Sequence, residues 1–458
     1  MYAVLGVAAL TIAVGGLSPV AFGQNNGNNN NNGVAGILVN PDGVVQTRVI
    51  ADPTGMLRRQ QIAAARASLN ADVAKPSALR MVSLPRLERA IIEANGALTD
   101  DMKYLAGLQR IKYVFVYPES GDIVIAGPAE GWMTDPAGRV VGLTTGRPVL
   151  RLEDLVVALR AYSPNGDSTR LISCSIDPTQ EGLARMQQFL AGVGRILPPG
   201  GEYQAAQYIA ANLRESLGPQ EITIQGVPAD THFAQVLVEA DYRMKLIGIG
   251  LEKPPVRMTT YIDRASGAQP ANALMRWYFV PDYQCLRVSD DGNGMELVGD
   301  GVKLVGANEV VEQDGVRRVA GNESPASKAY TVSFTRNYSQ LAARSPVYAE
   351  LRNLIDMAVV AAYLQKNDVY SKTGWKMEFL GDESQFKVRL YPAPKKVATA
   401  VNAVFKGSRL LTPVGGGVHI EPDEALKPEN LLNDEEGKLA KMHKDLEINL
   451  PEGKWWWD

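Results

Sequence analysis

The sequence holds three histidines, His232, His419 and His443, and they fall in three separate regions. A catalytic zinc site draws on two or three His ligands with carboxylate help, so this spread predicts no zinc centre. His232 follows Asp230-Thr231 at the start of an apolar-periodic stretch. The positive end of a helix lowers the pKa of an imidazole placed there, leaving a neutral ring suited to act as base or electrophile. His232 is therefore the candidate catalytic residue; the alternative is an ordinary first-turn residue on the surface. His419 follows Gly415-Gly416-Gly417-Val418. A glycine run can cradle an anion, but with no helix after it this one reads as a turn.

No Gly-x-Ser-x-Gly elbow, His-Glu-x-x-His helix or Walker lysine loop occurs in the sequence. Asp290, Asp291 and Asn293 offer oxygen ligands in a tight loop, but EF-hand spacing is absent and a hairpin turn is the expectation. Glu239 with Arg243, and Asp241 with Lys245, stand at i, i+4 in the orientation that supports a helix, by about 0.3–0.5 kcal/mol each. Such charges read as a solvated face. No cofactor and no metal are expected.

There are two cysteines, Cys174 and Cys285. A bond between them would close a loop of about 110 residues, worth about 4–5 kcal/mol in the chain-entropy limit. Alternation places Cys174 on one strand face with Ile172 and Ile176, where a buried free thiol is at home. Both pairing and free thiols stay open on spacing alone.

The elements that must position these residues fall into blocks and give a mixed α+β protein, with hairpin-rich antiparallel sheets packed on helices. In residues 34–163, Ile37-Leu38-Val39 and Val44-Val45 flank an Asn40-Pro41-Asp42-Gly43 turn, and Tyr113–Tyr117 pairs with Asp122–Ala126. Helices are expected over Leu84–Ala94, capped by Ser83, and Leu152–Tyr162. In residues 168–263 the order strand, helix, helix, strand, helix suggests an α/β layered middle block. Asp177 is the expected cap of its first helix, Gly218 ends the second, and Asp230 opens the third.

In residues 274–420, strands broken by Asp290–Gly294 and Asp300-Gly301 continue through Thr331–Phe334. A long helix opened by Pro346 follows, apolar around most of its circumference and so buried on more than one side. A hairpin of Trp375, Met377 and Phe379 against Phe386, Val388 and Leu390 is expected next. A last helix carries Val397, Val401, Val404 and Phe405. Residues 421–458 are acidic, lose apolar periodicity, and read as a flexible tail ending in Trp455-Trp456-Trp457.

Val4 to Leu17 is an apolar stretch, followed by Ala21-Phe22-Gly23 before Gln24, which is the pattern of a cleaved export signal over residues 1–23. Residues 24–33 form an asparagine-rich linker unable to bury apolar surface. No other apolar run approaches spanning length, so no membrane span beyond the signal is expected. Of 458 residues, 45% are apolar and 21% charged, enough for a sizeable core. Net charge is −3, which lacks the basic footprint that nucleic acid demands.

The run from Gly226 to Glu252, the run Pro346-Val347-Tyr348-Ala349-Glu350-Leu351-Arg352-Asn353-Leu354, and Gly415–Val418 together resemble a secreted planctomycete family, domain of unknown function 1598. The resemblance extends over most of the chain past the asparagine linker. It implies export and a bacterial envelope setting, and carries no activity, so it assigns no catalytic residue. Two functions stay open: a non-catalytic envelope or extracellular protein that binds another macromolecule, or a hydrolase or transferase with a site near His232.

Overall fold

Hairpins need only local pairing, but their outer edges still carry unpaired N–H and C=O groups that must find partners elsewhere in the chain. In the computed structural model they do so in two large sheets. The structure describes residues 33–52, 54–166, 168–193, 201–266, 273–311, 317–319, 323–406, 408–446 and 453–458. The expected export signal and nearly all of the asparagine-rich linker lie outside the described residues. Among these residues no helix is long and apolar enough to cross a membrane.

The larger sheet has nine strands. In spatial order they are Gly33–Val39, Val44–Ala51, Lys396–Val397, Gln220–Gln225, Ile172–Asp177, Val414–Ile420, Ala273–Pro281, Val302–Val311 and Arg317–Val319. The sequence blocks 34–163, 168–263 and 274–420 all contribute to it. The first hairpin forms as expected, with Val39 opposite Val45; the Asn40 carboxamide accepts the Val44 N–H at 2.8 Å and Gly43 takes φ +82°. Strand Val414–Ile420 runs antiparallel to Ile172–Asp177 and parallel to Ala273–Pro281. Its glycines are what admit it between those neighbours. A Cβ on Gly416 would meet the Trp277 carbonyl, one on Gly417 the Cys174 carbonyl. The run is thus buried strand rather than a turn.

The second sheet has the order Leu431–Asn433, Leu286–Val288, Gly294–Leu297, Tyr113–Tyr117, Asp122–Ala129, Ser77–Ser83 and Trp456–Trp457. Its alternate residues face two ways. Val82, Val114, Val116, Ile123 and Ile125 join the main apolar core, while Met81, Phe115, Val124 and Ala126 pack outward around Leu439. That outer face explains why the described residues of the tail are docked. Helix Lys438–Asp445 covers the sheet, and Trp456 and Trp457 extend it beside Val82 and Met81. The Arg80 guanidinium lies over the Trp456 ring and binds the Asp458 carboxylate with Nε and Nη2.

Between these sheets the shared core includes helices Leu152–Ala161, His232–Gly248 and Pro346–Lys366, packed on one another. Pro346–Lys366 is buried around nearly its whole circumference, as its apolar pattern requires.

Several local expectations are corrected. Thr331–Phe334 is helical, within Pro325–Arg336, because Ala326, Tyr330 and Phe334 bury one i, i+4 face. No strand pair forms over 375–390; Glu88 accepts the Trp375 indole N–H at 2.5 Å and the Phe379 and Leu380 N–H groups at 2.8 Å, wrapping that segment on helix Leu84–Glu93. The expected helix over 397–405 is replaced by Lys396–Val397 in the large sheet and the pair Ala403–Lys406 with Ser408–Leu411. Thr179 and Thr231, rather than Asp177 and Asp230, cap their helices. Asp177 instead pairs with Arg276 at 2.7 Å.

Candidate functional site

His232 is the first residue of helix His232–Gly248, and the Thr231 hydroxyl caps that helix by accepting the Ala234 N–H. The side chain is mostly enclosed, with 11% of it exposed, and Nδ1 lies 2.8 Å from Oδ2 of Asp154 in the first turn of Leu152–Ala161. Burial pushes His232 down to about 3, and the nearby Arg151 adds to it. Burial pushes Asp154 up to about 7 against the pull of Arg151. At neutral pH the imidazole is therefore uncharged, and the pair shares a hydrogen bond rather than a full ion pair.

A cavity of about 10 Å³ adjoins the pair, room for roughly one water. Val149, Leu150, Leu354 and Met357 give it apolar walls, with Arg151, Glu350 and Asn353 alongside. Asp154 Oδ1 and Asn353 Oδ1 are buried and find no protein partner. Among the described residues, no Ser, Thr, Cys or Lys lines this cavity. The arrangement can hold a proton, and the space beside it is about one water in size.

The charges expected on a solvated face of the same helix are instead inside the protein. Glu239, Asp241, Arg243 and Lys245 are all buried, Asp241 and Lys245 completely. Arg139 bridges Glu239 and Glu350. Burial alone would lower its pKa; Glu239 and Glu350 outweigh that and hold it above its ordinary value. Arg243 reaches Glu239 at 3.3 Å and Glu252 at 2.8 Å. Lys245 donates to Asp241 at 2.8 Å, to the Ile176 carbonyl at 2.8 Å and to the Gly416 carbonyl at 3.1 Å, tying helix to sheet.

His419 and His443 do not join His232. His419 Nε2 lies 3.0 Å from Glu421; His443 stacks on Tyr117 and meets the Val116 carbonyl at 2.9 Å. Cys174 and Cys285 are both free and buried. A disulfide is not formed, because Cys174 sits in the nine-stranded sheet and Cys285 precedes a strand of the other. Asp291 accepts from Ser289 Oγ at 2.6 Å and from the Asn293 N–H at 3.0 Å, which makes its loop a hydrogen-bonded turn. Among the described residues no group of three or more His, Cys, Asp or Glu side chains could hold a metal ion.

A second feature was not visible from the sequence. A cleft of about 450 Å³ opens beside helices Tyr338–Arg344 and Pro346–Lys366. Arg110, Lys112, Arg147 and Arg352 line it, against one carboxylate, Asp300. Arg110 gives Nε to Asp356 at 2.8 Å and Nη1 to the Gly299 carbonyl at 2.8 Å. Arg352 Nη1 lies 3.5 Å from Asp300. Arg110 Nη2 and Arg352 Nε are shielded from solvent and have no acceptor. The four cations come from three distant stretches, so no spacing in the sequence announces them.

This is a mixed α+β protein with one largely buried polar cluster and one cationic cleft. Residues 174–261 match the model of a family described as "Protein of unknown function (DUF1598)". The match takes in the helix that carries His232, whereas Pro346–Leu354 and Gly415–Val418 lie outside it. No curated protein and no solved structure matches the chain.

Proposed function

We propose that this protein is an exported, non-catalytic component of the cell envelope that binds another macromolecule. The observation that carries this reading is the closure of the His232 cluster. The residue with the best claim to chemistry faces Asp154 and a one-water cavity with no Ser, Thr, Cys or Lys on its lining. A hydrolase or transferase needs a nucleophile, a base and a place for the reacting atom within mutual reach. Export rests on the leader and asparagine-rich linker. A cleft lined by four cationic side chains supports binding as the role of the exposed surface.

Three measurements test the reading. Fractionation of the native cell with N-terminal sequencing should place the protein outside the cytosol with Gln24 first. The purified protein should sediment saturably with isolated envelope material. It should also show no turnover in a broad hydrolase and transferase screen. Turnover that is lost in His232→Gln would overturn the non-catalytic reading, and an intact Met1 in the cytosol would overturn export.

A further inference from the structure

We propose that the cleft between Arg110 and Arg352 binds the phosphate group of an anionic ligand, either a phosphorylated small molecule or the phosphate of an envelope polymer. The inference rests on the binding reading above and narrows it to a site and a ligand chemistry.

The unfilled donors come first. Arg110 and Arg352 both line one cleft, and each has a guanidinium nitrogen, Nη2 and Nε respectively, that is hidden from solvent and has no acceptor in the protein. Buried N–H groups are almost always paired, so the protein by itself does not satisfy these two cations. Arg110 is tied to Asp356 and the Gly299 carbonyl, so its guanidinium is held in one place before any ligand arrives.

Charge favours a dianion over a monocarboxylate. Four cations line the cleft against Asp300, and with Asp356 behind Arg110 counted the excess is still positive. The protein as a whole carries −3, so this positive concentration runs against its background. Burial lowers the pKa of Arg352, and the neighbouring Arg110 lowers it further; a bound anion relieves that repulsion. Arg147 and Lys112 are exposed at the rim, where they would steer an anion inward.

Size then excludes a bare ion as the whole ligand. A cleft of about 450 Å³ is in the range that holds an organic molecule. Ala342, Ala343 and Pro128 supply an uncharged wall for the group that carries the phosphate.

Isothermal titration calorimetry on the mature protein tests this with inorganic phosphate, glucose 6-phosphate, long-chain polyphosphate and acetate. Both small phosphates should bind, acetate at least about tenfold more weakly, and added salt should weaken all three. Arg352→Gln and Arg147→Gln should each weaken phosphate binding about tenfold. Arg147 is exposed, so its replacement leaves folding intact, and near-ultraviolet circular dichroism checks the Arg352 variant. Tighter binding of polyphosphate than of glucose 6-phosphate assigns the site to a polymer, and the reverse to a small molecule; either supports the proposal. Absence of phosphate binding to folded wild type, or unchanged affinity in both variants, overturns it. If sedimentation with envelope material persists in that case, the binding reading survives and only the cleft assignment falls.

Discussion

Asp154 and His232, 78 residues apart in sequence, meet across two helix N-termini at 2.8 Å in a buried setting that opposes charge on either one. Their titrations work in opposite directions. Asp154 is raised from 3.8 to about 7, so the folded state keeps a proton the unfolded state releases, and stability is lost as pH rises through that window. His232 is lowered from 6.5 to about 3, so the unfolded state takes up a proton the folded state refuses, and stability is lost as pH falls. Over the shared range the two contributions offset each other.

Single replacements should therefore unmask slopes of opposite sign. Relative to wild type, Asp154→Asn should gain stability as pH rises from 4 to 7, because the Asp154 loss is removed. His232→Gln should lose relative stability over the same range. Urea midpoints at several pH values measure both. Parallel slopes for the two variants would show that the pair does not titrate as its burial requires.

The Arg139 bridge predicts a larger effect at fixed pH. Arg139 is buried between Glu239 and Glu350, and its removal leaves two carboxylates without their shared cation. Arg139→Met should cost about 3–5 kcal/mol, the range for breaking a buried ion pair from one side. Replacing exposed Arg147 in the same way should change stability little. Equal effects of the two substitutions in urea denaturation would mean that the buried bridge contributes no more than a surface charge.

Both thiols should be silent in the folded protein. Burial raises Cys174 well above its ordinary value and pushes Cys285 up to about 12, so neither supplies a thiolate at pH 8. A chromogenic disulfide reagent should find no reactive thiol in native protein and two after denaturation. A denatured protein with none would show that the two cysteines are bonded.

What the sequence disclosed was what local pattern determines. The hairpins at Asn40–Gly43 and Glu119–Gly121, helix Glu202–Leu217 ending at Gly218, and helix Pro346–Lys366 each declare themselves within a few residues. Trp375, Met377 and Phe379 alternate like a strand, yet Glu88 captures the backbone that a strand would have needed. Glu239–Lys245 has the spacing of a solvated face. However, Val238, Tyr242 and Ile247 complete an apolar girdle with Phe233, Val236, Leu237, Ala240 and Met244, which leaves no outer side for the charges. The docked tail also had a signal, in Phe115 and Val124, whose side of the sheet is apolar and required a cover. The cleft had none, since Arg110, Arg147 and Arg352 meet only through tertiary packing.

Gly416 combines a positive φ with a close approach of backbone, and that pairing yields the last prediction. This residue holds φ +119°, outside the range of ordinary L side chains, and a Cβ there would press into the backbone of Trp277. Its carbonyl also accepts from the buried Lys245 ammonium. A substitution therefore strains the backbone, separates two strands and disturbs one of the two carbonyls that help to hold the buried Lys245 ammonium. Gly416→Ala should destabilise the protein by about 2–5 kcal/mol. Gly138→Ala is the control: that glycine also has positive φ, at +88°, but open space around it, so it should lose only the smaller cost of its backbone conformation. Thermal midpoints that fall equally in the two variants would show that strain alone, rather than the close approach of strands, sets the requirement for glycine at 416.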